Sequence, residues 1–224
     1  MRFEGGALVN ACWSVDARRA AAAVVGLLLS AILGQGCATA VLTRPLEKGG
    51  HEVHASVGGP MIVQSGVPTP MPILQVGYRY GLTERVAIGG DVGVTVSILR
   101  NVALDPHVTW FPTKRLGVQA ETVLVTDIGT GAFRAYPILS TWYVVPVTAR
   151  VSLLPGLSVM GQAKQPRLLP APSLGAAFDI GKWDLVFQAM YMAPNVRDRY
   201  PAVDYVSPGR GALGLYLGLG RRFQ

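Results

Sequence analysis

Charge is scarce in this sequence. Only 15% of its 224 residues are charged while 50% are hydrophobic, against roughly 25% charged in ordinary soluble domains. A soluble protein of this size needs more charge to cover its surface, whereas a face that meets lipid does not. Cysteine is nearly absent as well. Cys12 and Cys37 both lie near the start, so no disulfide framework can hold the body of the chain, and no Cys/His spacing suggests zinc. Histidine is limited to His51, His54 and His107. The formal charge of +7 falls only to +6 once residues 1–36 are set aside (Arg2, Arg18 and Arg19 against Glu4 and Asp16). No run of Lys/Arg or basic helix gathers that charge into a nucleic-acid footprint, so no nucleic-acid partner is expected. No glycine-rich stretch opens a helix to cradle a phosphate, and no cofactor is implied.

Long apolar runs are missing too. Ala20 to Leu33 is free of charge for fourteen residues and follows Arg18-Arg19. That is the length of a signal-peptide core rather than the ~20 residues of a spanning helix. Two cleavage readings stand side by side. Gly34-Gln35-Gly36-Cys37 resembles a bacterial lipobox, with Cys37 as the lipidation site, although the pattern wants leucine where Gly34 stands. Ala38-Thr39-Ala40 fits ordinary signal peptidase. The expected division is therefore a signal and lipobox region over 1–40, a linker over 41–49 and one domain over 50–224.

What the domain does contain is glycine, 27 residues in all, and alternation with period two between Gly/Pro/Asn turns. The last strand is clearest. Leu213, Leu215, Leu217 and Leu219 share one face, continued by Arg221 and Phe223, while Ala212, Gly214, Tyr216, Gly218 and Gly220 take the other. A sandwich would place water-seeking residues opposite the leucines. Small residues there suit a narrow barrel with leucines toward hydrocarbon. Ten strands are predicted, near 51–58, 73–80, 86–98, 102–111, 116–125, 134–144, 149–163, 173–180, 183–193 and 211–223, with eight or twelve as alternatives. Pro155-Gly156 reads as a bulge or turn within the seventh. Ten strands leave both termini on one side. Tyr78, Tyr80, Trp110, Phe111, Trp142, Tyr143, Phe178, Trp183 and Phe223 would form an aromatic girdle at that side. Turns there are short, while Gly59 to Pro72 and Pro194 to Arg210 would be longer loops opposite.

The signal, the segment ending in "GLTER", the alternating strands and the terminal "LGLYLGLGRRF" resemble small bacterial outer-membrane β-barrel proteins. The family's assembly signal ends on its aromatic residue, whereas Gln224 follows Phe223 here. The resemblance implies an all-β, antiparallel up-and-down transmembrane barrel in the bacterial outer membrane, both termini periplasmic. It implies insertion by the outer-membrane assembly machinery through the last strand, with outer-membrane lipid around the barrel.

Candidate chemistry is sparse. His51 and His54 fall on opposite faces and make poor co-ligands. Glu52 shares the face of His54. Asp105 and His107 share the inward face as a possible dyad, with no serine placed to complete a triad. Arg79, Asp91, Asp105, His107, Glu121 and Arg134 are expected to form a polar network in the lumen, joined by Asp179, Asp184 and Gln188, because unpaired buried charge is costly. Arg167, Arg197, Arg199 and Arg210 would sit on the outer loops, where the planar guanidinium suits lipopolysaccharide phosphates. The function expected is a non-enzymatic barrel with a structural or minor solute or lipid-passage role. The alternatives are an outer-membrane lipid-modifying enzyme and a soluble periplasmic β-barrel or sandwich that binds an apolar ligand.

Overall fold

The computed structural model describes residues 44–64, 67–95, 101–162, 167–193, 195, 206 and 210–223. Twelve strands follow one another: β1 His51–Gln64, β2 Val67–Pro70, β3 Ile73–Gly81, β4 Val86–Gly93, β5 Asn101–Trp110, β6 Leu116–Asp127, β7 Phe133–Tyr143, β8 Val145–Pro146, β9 Val151–Gln162, β10 Arg167–Ile180, β11 Trp183–Met192 and β12 Ala212–Phe223. Ten of them close into an antiparallel barrel. The ladder runs β10-β11-β12-β1-β3-β4-β5-β6-β7-β9 and returns to β10 through the β9–β10 pair. The seam between last and first strands is long, from His51↔Phe223 to Pro60↔Gly214. It removes the edges that an open sheet would leave unpaired.

The two remaining strands are accessories. β2 folds back on the upper part of β1, with Met61↔Pro70 through Gln64↔Val67, so much of the expected 59–72 loop is a hairpin that prolongs the first strand. β8 extends the β7 ladder along β9, with Val145↔Leu153 and Pro146↔Ser152. Pro155 and Gly156 form neither bulge nor turn. β9 pairs with β10 in one unbroken register from Gln162 to Val151, and the missing proline N–H coincides with the break between β7 and β8 on its other side.

Alternation sets the two surfaces. In β12 the outward leucines are exposed while Gly214, Tyr216, Gly218 and Gly220 turn in. The same parity exposes Val53 and Val57, Leu74 and Val76, Val92, Leu104 and Val108, Leu153 and Leu157, Leu174 and Phe187. The result is a continuous apolar belt. At the near end, where β1 starts and β12 finishes, the belt terminates in exposed Tyr78, Trp110, Tyr143, Trp183 and Phe223. Phe111 and Trp142 are not in this girdle. Each is the chain neighbour of an outward aromatic, so strand parity sends it inward, and they are only 1% and 4% exposed.

The near end is built on a repeat. Thr83, Thr113 and Thr148 each accept two backbone N–H bonds through Oγ1, from Arg85 and Val86, Arg115 and Leu116, Arg150 and Val151. A hydroxyl that takes over backbone donors in this way fixes a tight turn locally. The fourth turn uses Asp179, whose Oδ1 accepts from Gly181 N at 3.1 Å, and Gly181 supplies the positive φ of +73°.

Candidate functional site

The lumen is where the polar residues meet, and its two halves differ. On the wall formed by β1 and β3–β6, five side chains close a ring. Arg79 Nη1 donates to Glu52 Oε1 at 2.9 Å, and Arg79 Nε donates to His107 Nε2 at 3.4 Å. His107 Nδ1 lies 3.4 Å from Asp91 Oδ2, Asp91 Oδ1 accepts from His54 Nε2, and His54 Nδ1 returns to within 3.7 Å of Glu52 Oε1. A second chain runs beside it. Thr109 Oγ1 donates to Gln119 Oε1 at 3.0 Å, and Gln119 Nε2 donates to Glu121 Oε2 at 2.5 Å. All of these residues are buried, Arg79 to 1% exposure.

Glycines make room for the ring rather than leaving a hole. A Cβ at Gly77 would collide with Asp91 and His54, and one at Gly89 would lie 2.5 Å from His107 Nε2. Long side chains from one strand therefore occupy the space above a glycine on the next.

The near mouth is closed by apolar groups. Leu46, 5% exposed, packs with Ala87, Phe111, Trp142, Leu154, Ala177 and Val186. The segment expected as a linker thus enters the barrel. Its Gly49 N donates to Gly81 O, and Gly81 N donates to Gly50 O. Arg44 anchors it, 2.5 Å from Asp179 Oδ2 and 3.0 Å from Asp184 Oδ1. Burial alone would lower the Arg44 pKa, but its bonds to Asp179 and Asp184 outweigh that and hold it above the usual arginine value. Arg222 joins the same carboxylates. Toward the far end the lumen is lined by Ala103, Val123, Val125 and Ile138 on one side and Ala171, Met190 and Tyr216 on the other.

The expected network residues Arg79, Asp91, Asp105, His107 and Glu121 all lie in the buried lumen, with Asp184 and Gln188. Arg134 does not join them. It pairs in register with inward Val125 but is exposed at the far rim, where Asn101, Val125, Asp127, Ala132, Arg134 and Tyr136 enclose about 40 Å³, room for a few waters at most. The Asp105–His107 dyad is not formed through the carboxylate, because His107 Nδ1 meets the Asp105 backbone carbonyl at 3.2 Å. Both Asp105 oxygens are buried without a hydrogen-bond partner. Among the described residues, no cluster of three or more His, Cys, Asp or Glu is placed to hold a metal ion.

Arg167 and Arg210 are exposed at the far end. Arg197, Arg199 and the lipidation candidate Cys37 fall outside the described residues. Leu46, Phe111, Trp142 and Gln119 are lumen residues outside the expected network, Phe111 and Trp142 being expected in the aromatic girdle instead. Parity against Trp110, Tyr143 and Glu121 was the available signal for the last three, and Leu46 had none.

No family model matches the sequence, and no curated relative does. Among solved structures the fold is similar to the NanC porin (9% identity, 76% of this chain and 98% of that one, TM-score 0.47). It is similar to the translocator domain of the autotransporter NalP from Neisseria meningitidis (12% identity, 96% and 97%, TM-score 0.46). An outer membrane channel from Pseudomonas putida F1 is also similar (10% identity, 83% and 100%, TM-score 0.44). The architecture, an antiparallel up-and-down barrel of ten strands with an apolar outer belt, is of the outer-membrane type on its own features.

Proposed function

We propose that the chain is a non-enzymatic outer-membrane β-barrel, both termini periplasmic, whose lumen is filled by its own side chains and whose role is structural rather than conductive. The observation that carries this reading is the double closure of the lumen: the Glu52–Arg79–His107–Asp91–His54 ring in the near half of the barrel and the Leu46 stopper at the near mouth. A conducting porin of this strand number would need its inward space free, and a ten-stranded barrel has little to spare. The short near-end turns and the long 193–211 connection at the far end agree with the usual arrangement of periplasmic turns and extracellular loops. Arg167 and Arg210 then stand on the side that meets lipopolysaccharide. A lipid-modifying enzyme would need a nucleophile and base open to substrate. Asp105 and His107 meet through a backbone carbonyl, and the pair that does meet through a carboxylate, His54 and Asp91, is buried inside the ring.

The test is planar-bilayer recording of the refolded barrel, after gel mobility of unheated and boiled samples has established a closed form. The expected result is a heat-modifiable band and no stepwise conductance. Regular conductance steps from the unmodified protein would overturn the closed-lumen reading and make passage of small solutes its role.

A further inference from the structure

One position recurs at the near end and is basic almost every time. The residue immediately before each strand that rises from that end accepts, through its carbonyl, a backbone N–H from the neighbouring strand or turn. Gly81 N donates to Gly50 O, Phe111 N to Arg85 O, Val144 N to Arg115 O, Asp179 N to Arg150 O and Arg222 N to Lys182 O. The five positions are therefore equivalent by hydrogen bonding, not merely near one another, and four of them are Arg85, Arg115, Arg150 and Lys182. All four side chains are exposed. They lie two strands apart, about 10 Å along the rim. The turn threonines fix the backbone on which the arginines stand.

Next to this rim the apolar belt ends in outward aromatics. There Arg221 lies between two of them, 5.2 Å from the Trp183 ring centre and 5.0 Å from that of Phe223, the stacked position of a cation at a membrane interface. The acids of this end are already engaged or few. Asp179 and Asp184 hold Arg44 and Arg222, and the exposed acids described there besides them are Glu47 and Glu84. The rim therefore carries a net positive charge at headgroup depth.

We propose that this basic collar is a binding surface for the phosphates of anionic glycerophospholipids in the leaflet around the near end. The inference rests on the membrane reading above. A guanidinium offers a planar pair of donors to a phosphate, and several cations at one depth attract anionic headgroups over about a Debye length, ~8 Å at physiological salt.

The experiment uses the full chain reconstituted into vesicles of phosphatidylcholine with phosphatidylglycerol, followed by mass spectrometry of the lipids that co-purify in nanodiscs. The unmodified barrel is expected to enrich phosphatidylglycerol several-fold over its bulk fraction, and added salt should reduce that enrichment. R85Q/R115Q/R150Q should return the ratio to bulk, and R85K/R115K/R150K should keep most of the enrichment. Bulk composition around a heat-modifiable, inserted wild type would overturn the collar alone. So would enrichment that survives R85Q/R115Q/R150Q, or a parallel series with lipopolysaccharide in which only that lipid depends on the collar. A wild type that does not insert at all would instead overturn the membrane reading beneath it.

Discussion

Asp105 is 2% exposed, and both of its carboxylate oxygens lack a hydrogen-bond partner. It stands directly across the ladder from Asp91 and one inward step from Glu121, while the nearest cation, Arg79, is committed to Glu52. A buried carboxylate without partners costs about 1–3 kcal/mol, more when charged. Asp105→Asn keeps the shape, removes the charge and gives the amide N–H groups two carboxylates to donate to. The expected outcome is a gain of about 1–2 kcal/mol in the stability of the vesicle-inserted barrel, read as a higher urea midpoint at unchanged slope. A loss instead would show that the carboxylate is held by a water or cation in the folded lumen. The inward polar residues were legible because strand parity is strict. What was not legible was which of them meet. Glycine content suggests vacancy at Gly77 and Gly89, whereas a cross-strand neighbour fills each space, and only register brings the two together.

At the scale of elements, seven strands agree with the sequence to within two residues at each end, because alternating apolar residues stop at a turn marker. By contrast, β1 and β10 run on to Gln64 and back to Arg167, and β4 stops at Gly93 instead of 98. The errors occur where alternation is silent. A tight hairpin such as β1–β2 looks like a glycine-proline loop, and adjacent aromatics such as Trp110-Phe111 look like one girdle when they face opposite ways. The segment 44–50 has no period at all, yet Leu46 is buried among side chains from five strands and the Phe111 turn. This placement gives a sharp expectation. Were 44–50 a free linker, Leu46→Ala would change stability by no more than about 0.5 kcal/mol. As a stopper, the same substitution removes a packed side chain and should cost about 2–4 kcal/mol, visible as a lower urea midpoint for the full-length barrel. An unchanged midpoint would return the segment to the status of a linker and open the near mouth.

For the molecule as a whole, the decisive question is which solvent surrounds the belt. A barrel can place leucine outward for two reasons, contact with hydrocarbon or association with another protein, and the two respond oppositely to a charge. Leu217 is suited to the test. It lies at mid-height on β12, opposite Val57 on one side and Phe187 on the other, and all three are exposed. In a bilayer, an arginine at the midplane of a barrel face costs about 2–4 kcal/mol, falling toward zero at the interfaces. Leu217→Arg should therefore lower stability in vesicles by about that amount. Phe223→Arg, at the near-end girdle of the same strand, should lower it by about 1 kcal/mol or less. A soluble barrel in water would show no such gradient, because a charge on an exposed strand face is nearly neutral there. The depth dependence, rather than the size of either loss, carries the conclusion: only a slab of hydrocarbon centred on Leu217 makes two outward positions of one strand differ in this direction.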